Sequence, residues 1–221
     1  MQDHENHNDH THNHHDHSHD PITIEAENST FAVREAAIRK LLIEKGIFTA
    51  DELRQRVELM EGRSPALGAK VVVKAWTDPE YRARLLADGE TAIRELGLET
   101  MATSQIVAVE NTDKTHNVIV CTLCSCYPIA ILGRPPAWYK SLAYRARVVS
   151  NPRPVLEEFG LKLSGDVEVR VHDSTADIRY LVIPQRPRGT EDLSEEALAD
   201  LVTRDSMIGV ALDQPPGGKI K

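Results

Sequence analysis

Residues 118–128 read VIVCTLCSCYP, an apolar, strand-like run that leads directly into three cysteines within six positions. These are the only cysteines of the 221 residues, so no disulfide can join distant parts of the chain. A secreted, disulfide-stabilised domain is therefore excluded, and the three sulfur atoms are expected to form one local site. Thiols that no bridge consumes are typical of a cytoplasmic protein, which is the predicted location.

The spacing of Cys121, Cys124 and Cys126 admits several kinds of site. A structural zinc site usually has four ligands, so zinc would need a histidine from elsewhere in the chain, either His116 or His172. A dithiol redox site is a second alternative, but it leaves the third thiol without a task. The zinc alternative therefore depends on a residue outside the cluster, and the dithiol alternative uses two of the three thiols.

A third alternative uses the backbone between the last two cysteines. If the sulfurs of Cys124 and Cys126 bind one ion, the amide nitrogens of Ser125 and Cys126 lie against it and close five- and six-membered chelate rings. Cys121 can then reach one axial position, and the opposite position stays open. Such a planar sulfur and nitrogen set suits low-spin Fe(III) or Co(III) better than zinc. An open position on a trivalent ion favours Lewis-acid catalysis.

Helical periodicity dominates the first half of the chain, and strand periodicity begins after residue 98. Helices are predicted from Ser29 or Thr30 to a stop at Gly46, from Thr49 to Glu61, from Pro65 to Trp76, from Pro79 through Leu86, and in a last piece that ends at Leu96 and Gly97. Further helices are predicted from Pro136 to Val149, from Val155 to Phe159, and from Glu195 to Val202 with Ser194 as its cap. Strands are predicted at 106–109, 118–120, 167–171 and 179–183, the last two as an antiparallel pair around the turn 173–177.

The N-terminal residues 1–20 read MQDHENHNDHTHNHHDHSHD and contain eight of the ten histidines, five acids and no lysine or arginine. A segment without aliphatic side chains after Met1 cannot bury enough surface to fold, so disorder is predicted for it. Two interpretations stay open, a solubilising tail and a loose buffer for divalent metal ions.

The charge of the remaining chain is nearly balanced, with 26 basic against 29 acidic residues in mixed order. This pattern argues against a nucleic-acid or membrane-surface partner. No apolar run approaches the roughly 20 residues of a membrane-spanning helix. The start of the chain also lacks the features of a signal peptide.

The residues around the cysteines resemble the alpha subunit of nitrile hydratase. The likeness rests on 120–128 (VCTLCSCYP), 131–133 (ILG) and 135–141 (PPAWYKS), and it continues through 144–149 and 168–171 as far as 202–205. It covers residues 30–212, and the six residues 121–126 are its most specific part.

The resemblance implies a metal centre with Cys121, Cys124, Ser125 and Cys126 as ligands, through three sulfurs and two main-chain amides. It implies that Cys124 is a sulfinate and Cys126 a sulfenate, which are successive states of cysteine oxidation. Cys126, Cys124 and Ser125 are accordingly the predicted catalytic residues.

The metal that the resemblance implies is cobalt, as Co(III), with Fe(III) as the less favoured choice. Thr122 and Tyr127 are similar to the cobalt form of the family, whereas the iron form typically has serine at the first of these positions. The implied reaction is hydration of a nitrile to an amide, which makes the protein a lyase of nitrile metabolism. The implied partners are a small-molecule nitrile, a beta subunit in a heterodimer that pairs into an α2β2 heterotetramer, and an activator protein for cobalt loading.

Two alternative functions remain at this stage. The first is a subunit like the gamma subunit of thiocyanate hydrolase, which carries the same metal loop but has proline and arginine after the tyrosine, where this chain has Pro128 and Ile129. The second is a non-catalytic metal-binding protein. Ile129 and Ala130 also depart from what is frequent in nitrile hydratases, which leaves the size of the substrate pocket open.

The expected fold is α+β, a helical N-terminal arm followed by a layered α/β/β/α catalytic domain with the metal loop after a strand. The predicted divisions are a disordered tail at 1–22, the helical region at 23–98, the catalytic domain at 99–212 and a frayed C-terminus at 213–221.

Several residues near the loop have predicted structural roles. Trp138 and Tyr139 are expected to pack in the core or an interface, and Arg145 and Arg147 to form ion pairs. His116 is expected to be a hydrogen-bonded histidine at the surface or an interface.

Overall fold

The computed structural model of the chain describes residues 30–100 and 104–216. The predicted disordered tail lies outside the described residues, as do residues 217–221 of the predicted C-terminal tail. The chain divides into two compact units, residues 1–50 and 51–221. The divisions predicted after residues 22, 98 and 212 stay predictions.

The first unit contains helix α1 (Thr30–Glu44), which confirms the predicted first helix. Gly46 ends it with φ of 66°, a left-handed conformation that glycine adopts without steric cost. The amide of Ile47 donates to the carbonyl of Leu42 at 3.0 Å, so the helix closes with the hydrogen bond of a Schellman motif.

Four further helices follow at close to their predicted positions: α2 (Ala50–Glu61), α3 (Pro65–Thr77), α4 (Pro79–Ala87) and α5 (Gly89–Glu95). The predicted cap of α4 is confirmed, because Asp78 Oδ1 accepts a hydrogen bond from the amide of Tyr81 at 2.9 Å. Helix α3 buries consecutive valines, 71–73, and this wide apolar face lets it lie inside the second unit.

The described residues contain four strands: β1 (Gln105–Glu110), β2 (Thr115–Val120), β3 (Glu168–Asp173) and β4 (Ile178–Ile183). All four predicted strands are confirmed, but the predicted antiparallel pairing of the last two is wrong. Strand β4 pairs in parallel with β1, and β3 pairs in parallel with β2. They form two sheets of two strands each.

Backbone hydrogen bonds explain why the turn between β3 and β4 makes no hairpin. The amide of Ser174 donates to Val120 O at 2.7 Å, so the end of β3 remains on the β2 ladder. The amide of Gln105 donates to Asp177 O at 2.7 Å, so the approach to β4 already belongs to the β1 ladder. The short connection therefore passes from one sheet to the other, and the connection 111–114 between β1 and β2 does the same.

The two sheets face each other and carry helices on their outer sides. Helices α4 and α5 contact β1, and α10 (Arg204–Ile208) contacts β4. On the other side α7 (Leu142–Ser150) contacts β2, and α8 (Pro152–Glu158) contacts β3. Strand β2 also contacts β1 and β4 of the opposite sheet. This arrangement confirms the predicted α+β fold with α/β/β/α layers.

The helix predicted from Pro136 to Val149 is two shorter elements. A 3₁₀ helix (Ala137–Lys140) precedes α7, and Ser141 separates them with extended backbone angles. Its hydroxyl accepts from the amide of Tyr144 at 3.1 Å, so Ser141 is the N-cap of α7. Because the helical phase restarts there, Leu142 is 77% exposed instead of following Trp138 into the core.

Two other short helices complete the fold. Helix α6 (Ile129–Leu132) follows the cysteine loop, and α9 (Glu195–Ala199) is shorter than predicted, although Ser194 caps it as expected. Helix α10 was not predicted; Thr203 caps it through a reciprocal hydrogen-bond pair with Ser206. No helix among residues 30–100 and 104–216 has both the length and the apolar character that crossing a bilayer requires.

The turn after α10 packs directly on β2. Gly209 has φ of 92°, and a Cβ atom there would lie 2.0 Å from the carbonyl oxygen of Asn117. Its own carbonyl lies 2.8 Å from Nε2 of His116, which is 3% exposed. Because a carbonyl only accepts, His116 carries its proton on Nε2, and burial lowers its pKa. The predicted surface position of this histidine is therefore wrong.

Replacing Gly209 by alanine tests how tightly this turn fixes β2. Gly209→Ala should destabilise the protein by about 3 kcal/mol or more, because left-handed strain and a backbone clash add. Gly160→Ala is the matched control, since Gly160 has φ of 84° and nothing within 4 Å of an added Cβ, so only the conformational cost of about 1–2 kcal/mol applies. Chemical denaturation measures both variants, and equal losses would contradict the close packing.

Candidate metal centre

The cysteine loop begins where the most buried strand ends. Residues 118–121 have no measurable exposure, so the chain leaves the core at a fixed point. The loop then lies beyond the carboxyl ends of the parallel strands β2 and β3, a position where parallel sheets commonly bind ligands.

The three cysteine sulfurs converge. The Sγ atoms of Cys121 and Cys124 are 3.5 Å apart, those of Cys124 and Cys126 are 3.2 Å apart, and all three lie within 4.8 Å of one another. The amide of Cys124 also donates to Cys121 Sγ at 3.2 Å, which closes the turn. Cys121 is buried, Cys126 is half-buried and Cys124 is exposed, so the sulfur cluster opens to the surface on one side.

The pKa values of Cys124 and Cys126 shift in opposite directions. Hydrogen bonds from Cys126 and Cys121, together with the backbone amides of Ser125 and Cys126, lower the pKa of Cys124 to about 7. Burial and the neighbouring Cys124 raise the pKa of Cys126 to about 12. Cys124 is therefore the first to become a thiolate, the form that binds metals and reacts with oxidants.

The two histidines considered for zinc lie elsewhere. His116 binds Gly209 O and Asn111, and Nε2 of His172 lies 2.8 Å from the Asn117 side-chain oxygen. Within the described residues, the group that can hold a metal consists of Cys121, Cys124 and Cys126. The donor set is thus three sulfurs, with the Ser125 and Cys126 amides next to them in the chain. This set fits a thiophilic ion that accepts backbone nitrogen, and it lacks the histidine of the zinc alternative.

A model of the family described as "Nitrile hydratase, alpha chain" matches residues 29–211. The chain belongs to this family. The low-molecular-weight cobalt-containing nitrile hydratase subunit alpha of Rhodococcus rhodochrous is 50% identical over 195 residues, which cover 88% of this chain and 94% of the relative. The resemblance inferred from the sequence is confirmed.

Two further similar proteins differ from the first in metal type or in the substrate for which they are named. A double mutant of the Fe-type nitrile hydratase from Comamonas testosteroni Ni1 superposes with a TM-score of 0.80 at 44% identity, over 86% of this chain and 93% of that chain. The thiocyanate hydrolase subunit gamma of Thiobacillus thioparus is 42% identical over 206 residues, or 88% of this chain and 85% of the relative. The nitrile hydratase alpha-chain fold thus also occurs in an enzyme named for another substrate.

Arg145 holds the first half of the loop in this family member. Its Nε donates to Cys121 O at 3.0 Å, and its Nη2 donates to Thr122 O. The predicted ion pair is confirmed for Arg147, which pairs with Glu158. Within the described residues Arg145 forms no ion pair and binds loop carbonyls instead, so its pairing across an interface with a beta subunit stays a prediction. Arg145 therefore satisfies the carbonyl oxygens of the first two loop residues.

Asp173 holds the loop from the neighbouring strand. It is paired in register with Val120, the last residue of β2. Its Oδ1 accepts from the amide of Thr122 at 2.9 Å, and its Oδ2 accepts from the Thr122 hydroxyl at 2.5 Å. Sequence analysis missed this residue, because its position beside the loop depends on a strand register that no local pattern reveals.

An aromatic cluster supports the second half of the loop. Tyr139 is fully buried and donates its hydroxyl to Cys126 O at 2.9 Å. Its ring lies edge-on to Tyr127 at 5.0 Å, while Trp138 packs on Tyr144 at 4.9 Å. The predicted packing role of Trp138 and Tyr139 is confirmed. The hydrogen bond to Cys126 is an additional role that helical spacing alone did not indicate.

Arg145→Met should loosen the loop, because two carbonyl oxygens lose their donor while the aliphatic bulk is kept. The expected loss in the free energy of unfolding is about 1–3 kcal/mol. The fraction of chains that retain metal during dialysis against a chelator should fall with it. Metal content by mass spectrometry and denaturation midpoints measure both effects.

Arg147→Met is the matched control on the same helix, since Arg147 binds Glu158 and not the loop. An exposed ion pair contributes less than about 1 kcal/mol, and metal retention should be unchanged. If both variants lose metal equally, Arg145 does not position the loop.

Proposed function

We propose that this chain is the catalytic alpha subunit of a cobalt-dependent nitrile hydratase, which adds water to a nitrile and forms an amide. The observation that carries the proposal is the convergence of three cysteine sulfurs within 4.8 Å at the end of β2. Half of the aligned residues are identical to those of a subunit named as cobalt-containing. The three sulfurs also exceed what a dithiol site would need.

The proposed metal ligands are Cys121, Cys124, Ser125 and Cys126, with Ser125 and Cys126 binding through their amide nitrogens. The position of these two amides between the sulfurs of Cys124 and Cys126 supports this set, because binding through them closes five- and six-membered chelate rings. Neither position is proline, so both amides can lose a proton. Co(III) is the proposed ion and Fe(III) the less favoured one.

The proposed state of the outer cysteines is oxidised, with Cys124 as a sulfinate and Cys126 as a sulfenate. The exposure of the two sulfurs supports this order, because Cys124 is exposed and Cys126 is half-buried, and oxidation follows access to the sulfur. Cys121 is buried and is proposed to bind through a sulfur that is not oxidised.

The chemistry that Co(III) supplies when bound is Lewis-acid activation of a nitrile or a water molecule. The chain supplies the groups around it. Cys126 contributes the sulfenate oxygen as a nucleophile or a base, and its carbonyl is fixed by Tyr139. Arg145 and Asp173 hold Cys121 and Thr122, so the loop does not have to reorganise as charge develops.

The proposed assembly is a heterodimer with a beta subunit that covers the exposed side of the loop, and two heterodimers form an α2β2 heterotetramer. The side proposed to be covered is the one on which Leu123 and Cys124 of the loop are exposed. A small activator protein is proposed to load the cobalt. The proposed location is the cytoplasm, where the three free thiols stay reduced before metal binding.

Thiocyanate hydrolysis is the second candidate, because the gamma subunit of a thiocyanate hydrolase is 42% identical to this chain. Ile129, which follows Tyr127 and Pro128, favours the nitrile. It places an apolar side chain where the thiocyanate enzyme carries arginine, and an anionic substrate gains nothing from it.

The decisive measurement is turnover of the chain co-expressed with its partner subunit in cobalt medium. We expect amide formation from a nitrile, no carbonyl sulfide from thiocyanate, and about one cobalt per chain. The peptide spanning residues 121–126 should carry added oxygen on Cys124 and Cys126. Stoichiometric zinc without amide product would reject the proposal, and carbonyl sulfide as the main product would favour the thiocyanate reaction.

Backbone ligation has its own test at Ser125. Ser125→Pro removes the amide hydrogen and should abolish cobalt binding, because a tertiary amide cannot become an anionic nitrogen ligand. Ser125→Ala keeps the amide and should retain cobalt. Metal content and the visible absorption spectrum distinguish the two variants. Equal cobalt content in both would show that the nitrogen of residue 125 is not a ligand.

A further inference from the structure

A cavity of about 390 Å³ lies at the far end of α6 from the cysteine loop. Three segments enclose it: the end of α2 with the turn that follows, the turn after α6, and the start of α10. Each segment contributes one arginine, namely Arg63, Arg134 and Arg204. Met60, Pro65 and Leu132 supply apolar wall between them.

The charges around this cavity are poorly balanced. Its lining holds three guanidinium groups and one carboxylate, Glu61. Within the described residues, Arg63 and Arg134 make no side-chain hydrogen bond and no ion pair, in contrast to Arg82, Arg84 and Arg147 elsewhere in the same unit.

Arg204 is also incompletely paired. Its Nε and the Oδ1 of Asp205 are both buried without a hydrogen-bond partner and lie 3.6 Å apart, so the two side chains form a loose ion pair that lacks a hydrogen bond. The Arg204 side chain is 37% exposed, which leaves it accessible from the pocket that it lines.

The backbone holds two of the turns that carry the arginines against each other. Gly133 has φ of 67°, and a Cβ there would lie 2.7 Å from the carbonyl oxygen of Arg63. The turns that carry Arg63 and Arg134 are thus in direct backbone contact, which only glycine permits. Like charges that line one pocket repel one another, and an anion bound between them reduces that repulsion.

The first turn of α3 adds to the positive electrostatic potential in the pocket. Ser64 is its N-cap residue and lines the cavity, but its side chain makes no capping hydrogen bond. The positive end of this 13-residue helix therefore faces the cavity together with the three arginines.

We propose that the pocket lined by Arg63, Arg134 and Arg204 is an anion site that binds the oxyanion of a carboxylate or a phosphate. Guanidinium groups match both by paired N–H to O hydrogen bonds. The oxyanion has two possible sources, a free anion or an acidic side chain of the partner subunit. The site is separate from the sulfur cluster and does not depend on the proposed nitrile reaction.

The test compares wild type with Arg63→Gln/Arg134→Gln, which keeps polar side chains of similar length but removes two charges. The matched control is Arg56→Gln/Arg188→Gln, since both of these arginines are exposed and lie outside the pocket. Calorimetric titration with sodium phosphate and sodium acetate at constant ionic strength is carried out on the full chain alone and on its complex with the partner subunit. Subunit association is measured in parallel.

The pocket variant should bind phosphate at least about tenfold more weakly than wild type and the control. In anion-free buffer its thermal midpoint should equal or exceed that of wild type, because a repulsion is relieved. A purely structural role of the arginines predicts a lower midpoint in every buffer.

The pattern of binding identifies the source. Phosphate binding that persists in the complex indicates a free anion. A carboxylate of the partner is indicated by two results together. Wild type binds phosphate alone but not in the complex, and only the pocket variant associates more weakly with the partner subunit. The proposal is wrong if wild type, both alone and in the complex, binds phosphate and acetate no more tightly than the pocket variant does, and if the two proteins associate equally well with the partner subunit.

Discussion

The parallel register between β2 and β3 is the constraint on which the metal centre depends. It sets the last residue of β2, Val120, beside Asp173, and the carboxylate of Asp173 then binds both polar groups of Thr122. Shifting the register by one residue would turn that carboxylate to the opposite face of the sheet. The cysteines could still be close in sequence, but their loop would lose its anchor.

The loop itself is held by its carbonyl oxygens, which bind side chains from outside. Arg145 binds those of Cys121 and Thr122, and Tyr139 binds that of Cys126. The amide of Cys124 in turn donates to the sulfur of Cys121. A six-residue loop cannot hold three sulfurs together by local preference alone, because its hydrogen-bonding groups would otherwise turn to water. The surrounding helices therefore determine the donor set as much as the cysteine spacing does.

The sequence was sufficient for features that local chemistry determines. The spacing of Cys121, Cys124 and Cys126 pointed to one site, and the caps at Asp78 and Ser194 and the stop at Gly46 predicted helix ends correctly. Features set by distant contacts were predicted less well.

The hairpin expected between β3 and β4 is absent because each strand pairs with an earlier one. The hydrogen bonds from Arg145 to the loop were not predicted, because nothing local reveals that α7 packs beside the loop. The break at Ser141 did have a local signal, since serine is a preferred N-cap, but the continuous apolar spacing masked it.

The crossing connections between the sheets have a consequence for the order of folding. Each strand pairs across a long stretch of chain, from residue 105 to 178 and from 115 to 168, so the contact order is high and strand pairing is slow. The Asp173 anchor forms only when β2 and β3 have paired. The cysteines precede Asp173 in the chain, so during synthesis they emerge before the residue that anchors their loop. The loop geometry seen in the folded chain is therefore completed only after β3 has been made and has paired with β2.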